Sequence, residues 1–198
     1  MQWKDKAGDF EQPPLGLHVA RCVWLIDMGT QKNMFGTDNR NVLIKWELPL
    51  EKNSKGEVHE VSGWYTQSLH PKANLYHMLT SWRGCEFTPE ESKGFDPRVI
   101  LGKACMVNIM EKPLKEGGVK HAISTVVQLA KGTTCPPQIT PSLYLSLEPN
   151  QFDAPTFGKL SDTLQEKIKA TPEWRALQSG PEDQSGGEPP WTDDDVPF

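Results

Sequence analysis

The spacing of hydrophobic and polar residues divides the chain into a strand-rich body and a less regular C-terminal part. Residues 16–28 (GLHVARCVWLIDM) are rich in β-branched and aromatic side chains and predict a long first strand. One face would carry His18, Ala20, Cys22, Trp24 and Ile26, the other Val19, Arg21, Val23 and Leu25; neither is cleanly polar, as expected of a strand at a barrel seam rather than in a half-exposed meander. A polar, glycine-bounded loop is expected over 29–40. Residues 41–48 (NVLIKWEL) alternate strictly, which predicts a second strand with Val42, Ile44, Trp46 and Leu48 in the core and Lys45 on the opposite surface. After a charged turn at 51–57, residues 58–69 predict a third strand. In it Trp64 and Tyr65 point to opposite faces, and Gly63 marks a bulge or bend.

The period changes at residues 71–83 (PKANLYHMLTSWR), where Leu75, Met78, Leu79 and Trp82 fall at helical spacing and Gly84 provides a stop. A loop with a short helical turn follows at 86–97. Two further strands are expected at 103–112 and 119–129, joined by a turn containing Gly117 and Gly118. Beyond residue 132, Pro136, Pro137, Pro141, Pro149 and Pro155 predict extended chain lying over the surface. Residues 160–177 predict one helix or two, broken at Pro172, with Leu160, Leu164, Ile168 and Trp174 as apolar contacts.

Three strands, a helix and two more strands form the element order of an oligonucleotide-binding (OB) barrel, five strands closed as a Greek key with a helix plugging one end. The expected fold is therefore mainly β. Residues 1–15 form an N-terminal arm, 16–132 the OB-fold domain, 133–179 a proline-rich extension with a short helix, and 180–198 a disordered acidic tail. Residues 180–190 have no aliphatic side chain to bury and contain consecutive prolines, so they cannot offset the entropy of ordering.

Composition sharpens this division. The chain has 198 residues, 36% of them hydrophobic, and a formal charge of -5; its mean hydropathy of -0.55 is low for a compact globule. Six of the 26 acidic residues lie beyond Gly180, which leaves 20 against 21 Lys and Arg in the body. A body so close to neutral excludes a strongly basic nucleic-acid binder, so any such site must be a local patch helped by stacking. No run is long and apolar enough to span a bilayer and no signal-peptide core follows Met1, so a cytosolic protein is expected. Cys22, Cys85, Cys105 and Cys135 are widely spaced and lack any C-x-x-C pattern; Cys22 and Cys105 sit in apolar strand-like runs, which predicts buried thiols rather than a metal site or disulfides.

The last residues, Trp191-Thr192-Asp193-Asp194-Asp195-Val196-Pro197-Phe198, join three carboxylates to an apolar end. The acids would steer this tip to basic clefts, with Phe198 as an apolar anchor; a merely solubilising tail has no need of Val196, Pro197 and Phe198. The tip is similar to the acidic C-terminal tip of bacterial and phage single-stranded-DNA-binding proteins, with Val196 a mild departure where the bacterial tail usually has another aliphatic residue. Ser68-Leu69-His70, Ser81-Trp82-Arg83-Gly84, Gly94-Phe95-Asp96 and Leu101-Gly102-Lys103-Ala104-Cys105 also resemble a family of phage single-stranded-DNA-binding proteins built on an OB barrel.

The resemblance implies non-catalytic, sequence-independent binding of single-stranded DNA in a bacterial host's cytoplasm during phage replication and recombination. The tip would recruit replication and repair proteins. The candidate stacking residues are Phe35, Trp64 and Tyr65, and the candidate phosphate contacts are Lys32, Arg40, Lys45, Lys103, Lys112 and Lys120. Trp191, Asp193, Asp194, Asp195, Val196, Pro197 and Phe198 would meet the partner. No cofactor or metal is expected. The five histidines lack zinc spacing, and neither a phosphate loop nor a nucleophile elbow is present. Two other readings stay open: an adaptor that binds protein rather than DNA, and a mediator that anneals strands. Oligomeric state, including a homo-oligomer, is also open.

Overall fold

A computed structural model describes residues 11–32, 36–114 and 117–179. The fold is mainly β. Strands β1 (Gly16–Lys32), β2 (Asp38–Lys52), β3 (Val58–Thr66), β4 (Ala104–Pro113) and β5 (Val119–Val127) form an antiparallel path in the order β3-β2-β1-β4-β5. A short sixth strand, β6 (Leu143–Leu145), runs parallel to β1 off this path. Helix α1 (Asn74–Arg83) and the shorter α2 (Pro89–Gly94) lie between β3 and β4. Helices α3 (Ala154–Phe157), α4 (Asp162–Lys169) and α5 (Pro172–Ser179) follow β6. Among the described residues no helix is long and apolar enough to cross a membrane.

β1 organises the sheet because it changes partners along its length. Its first residues pair with β4, from Gly16↔Ile109 to Arg21↔Ala104. From Arg21 onward it pairs with β2, and Trp24 to Ile26 also accept β6. The register shifts between Cys22 and Trp24, which inserts Val23 as an extra residue. A side-chain period of two cannot survive such an insertion. Ala20, Cys22 and Leu25 therefore share one core, whereas Ile26 and Met28, with Trp24 packed against them, belong to another. This corrects the expected grouping of Trp24 and Ile26 with Ala20 and Cys22.

The inner core follows the sequence pattern closely. Val42, Ile44, Trp46 and Leu48 of β2 are all buried in it, beneath Met78, Leu79 and Trp82 of α1, and Leu75 packs against them. Trp46 and Trp82 lie 6.1 Å apart, and the Trp82 indole donates to the Ala104 carbonyl at 3.1 Å. Gly84 ends α1 in the left-handed conformation, at φ 73°, as expected. Gly63 is not a bulge: it pairs in register with Ile44, and a Cβ there would meet the Tyr65 ring at 2.7 Å. Its small size lets the ring lie across the strand.

The outer face of β1 and β2 is covered by the chain after residue 132. The proline-rich stretch was expected as extended surface chain, but it builds a second core. Leu143, Leu145, Leu147, Phe157, Leu160 and Ile168 pack against Ile26, Met28 and Leu43. Polar contacts strap it down. The fully buried Glu47 carboxylate accepts the backbone N–H groups of Ile139 (3.1 Å) and Thr140 (2.6 Å). Arg21 donates to the Pro136 carbonyl at 2.7 Å, and Asp27 accepts from the Leu147 N–H at 3.3 Å. Pro172 does begin a new helix, and the Thr171 hydroxyl before it accepts the Trp174 N–H.

β3 and β5 end the sheet path and share no ladder. They do come into contact without pairing, and the seam between them is spanned at one end by α1, which contacts both strands. At the other end residues 11–13 bridge it. Gln12 accepts the His121 N–H of β5, the His121 ring donates to the Pro13 carbonyl at 2.6 Å, and Glu11 accepts the Ser54 N–H at 2.8 Å.

Candidate nucleic-acid interface

The alternation of β3 decides the two aromatics of that strand. Tyr65 faces inward and packs on the inner core, and burial pushes its phenol up to about 12. It is half-buried, and it also lines the groove beside Trp64. Trp64 faces outward and is 42% exposed. It lines a groove of about 500 Å³ with Asn41, Thr66, Ser68, His70 and Lys72, where β3 leads into α1. The Lys167 ammonium of α4 stands 5.0 Å from the Trp64 ring centroid. An open indole face flanked by hydroxyls, amides and two lysines can stack on a planar ring while the cations meet anionic groups.

The expected cations divide into committed and free. Arg40 bridges the Asp27 and Glu148 carboxylates, and its hydrogen bonds to Asp27, chiefly, push its pKa further up. Lys45 lies 3.4 Å above the Trp24 ring centroid and 2.7 Å from Glu60. Both are engaged by carboxylates, and Lys45 also lies on the outer face that the extension covers, where Thr140 shares its partner Glu60. Lys32, at the end of β1, is exposed and pairs across the strands with Asp38. Lys103 is exposed at the entry to β4, beside Trp82 and Phe87. Lys112 and Lys120 are both exposed and sit directly opposite each other on the β4–β5 hairpin. Like charges in that register destabilise a hairpin unless something anionic lies over them.

The structure thus brings Trp64 together with His70, Lys72 and Lys167, and brings Lys112 together with Lys120. Phe35 and the tip residues Trp191, Asp193, Asp194, Asp195, Val196, Pro197 and Phe198 lie outside the described residues. Lys72 carried a local sign in the sequence, since it follows the end of β3 by a few residues. Lys167 carried none: it reaches Trp64 from a helix about 100 residues away in the chain.

Among the described residues no group of three or more His, Cys, Asp or Glu could hold a metal ion. Burial pushes the Cys22 and Cys105 thiols up, which makes them poor nucleophiles. A scan against protein-family models finds none that matches the chain, and a search of the curated proteins finds no match either.

Proposed function

We propose that the chain is a non-catalytic, sequence-independent single-stranded-DNA-binding protein of OB type, at work in the cytosol of a bacterial host during phage DNA replication and recombination. The path β3-β2-β1-β4-β5, with α1 between β3 and β4 and leaning on both end strands, supports the OB reading of the sheet. One observation carries the binding site: Trp64, an exposed indole in a polar groove flanked by Lys72 and Lys167. Bases stack on it, and the Lys112–Lys120 pair on the β4–β5 hairpin meets phosphates. The acidic tip from Trp191 to Phe198 recruits replication and repair proteins by its charge and its apolar end.

Titration with a fluorescently labelled oligo-dT tests this reading. Salt-sensitive binding with quenching of tryptophan emission is expected, and Trp64→Ala should weaken it by about 1–3 kcal/mol. Absence of binding up to high micromolar protein would leave a protein-binding adaptor, and a strand-annealing assay separates simple binding from mediated annealing.

A further inference from the structure

A second cavity, of about 390 Å³, adjoins the Trp64 groove, and Ser68 lines both. Its apolar wall includes Leu25, Val42, Ile44 and Phe95. Three of these, Leu25, Val42 and Ile44, are buried members of the inner core, so the cavity reaches into the body of the fold. Well-packed interiors leave few voids larger than a water molecule. An apolar floor below a few convergent polar groups is the usual form of a small-ligand site.

The polar residues lining it restrict what can enter. They include Asp27, Arg40, Gln67, Ser92, Glu148 and Gln151. Arg40 is already neutralised by Asp27 and Glu148, with 2.8 Å to the latter. A phosphate entering here would meet two carboxylates and no unpaired guanidinium. A neutral planar ring suits the site better: its faces meet Phe95 and the aliphatic wall, and its edge meets amide and hydroxyl groups.

We propose that this cavity receives one unpaired base of a bound single strand while a neighbouring base stacks on Trp64. The proposal rests on the DNA-binding reading. It adds to that reading a base held inside the fold rather than on its surface, and it gives Ser68 the place where the strand turns inward.

The test uses Ser92→Trp and Gln151→Trp in the full chain, two substitutions at accessible positions of the lining on different segments. Affinity is measured for oligo-dC and for a strand of the same length in which every base is replaced by an abasic site. Each variant should lose about tenfold in affinity for oligo-dC, the worth of a single base contact, and should match the unsubstituted protein on the abasic strand. Unchanged oligo-dC affinity in both variants would overturn the cavity proposal and leave DNA binding at Trp64 intact. An equal loss on the abasic strand would also overturn it, because the substitutions would then be acting through the backbone path. Failure of the unsubstituted protein to bind any oligonucleotide would overturn the DNA-binding reading, and the cavity proposal with it.

Discussion

The two faces of β1 and β2 bury comparable side chains by different means. Inside, Trp46, Ile44 and Leu48 meet α1 and the strands of the same sheet. Outside, Ile26, Met28 and Leu43 meet short helices and a three-residue strand from more than 100 residues later in the chain. The inner core needs mainly hydrophobic contact. The outer one is also pinned by buried carboxylates, with Glu47 holding the Ile139 and Thr140 N–H groups and Asp27 holding that of Leu147. Short irregular segments leave backbone donors without ladder partners, and a buried acceptor satisfies them where water cannot reach. The outer face of a sheet can thus become an interior if polar anchors accompany the apolar side chains.

Substitutions on the two sides should separate these modes of support. Trp46→Ala, at a fully buried site in the inner core, should cost the most, about 3–5 kcal/mol in a denaturant titration. Ile168→Ala, equally buried in the outer core, should cost about 2–3 kcal/mol, because a short surface helix can settle partly into the space left. Gly29→Ala should follow at about 1–2 kcal/mol. Gly29 has a φ of +66°, and a new Cβ would meet Thr171 at 2.8 Å, so the methyl strains β1 and pushes α5 away together.

The smallest effect concerns Glu173 of α5. Burial raises its pKa, but the hydroxyl and N–H of Thr30 both donate to the carboxylate and, together, hold it below its ordinary value. A depressed carboxylate stabilises the fold above its unfolded pKa, and that contribution is lost as the pH falls through the folded value. Glu173→Gln should therefore be slightly less stable than the unsubstituted protein at pH 7. The two should converge below about pH 4, as read from thermal melts across pH. A difference that grew on acidification would rule out this clasp.

The inner core was legible because local period carries it. Alternation placed Val42, Ile44, Trp46 and Leu48 correctly, and helical spacing placed Met78, Leu79 and Trp82. The outer core was legible only in part: Leu160, Leu164, Ile168 and Trp174 were named as apolar contacts and do join it, but its place on β1 and β2 was hidden for two physical reasons. The extra residue at Val23 reverses the faces of β1 without any sign in hydrophobicity. The parallel pairing of Trp24–Ile26 with Leu143–Leu145 is too short and too distant to leave a periodic trace. The candidate site divides in the same way. Trp64 could be read as one of two opposed aromatics, but its strand alone did not say that Tyr65 was the inward one. Lys45 and Arg40 looked free because a sequence shows charges without their partners, here Glu60, Asp27 and Glu148.

The crossover at Val23 has a thermodynamic consequence. A single continuous strand supplies a wall to both hydrophobic clusters, so neither cluster can melt while the other keeps its full lining. Heating should give one calorimetric endotherm for body and extension together. A fragment ending near residue 132 would be left with Ile26, Met28 and Leu43 facing water, a sticky surface in place of a smaller self-sufficient unit.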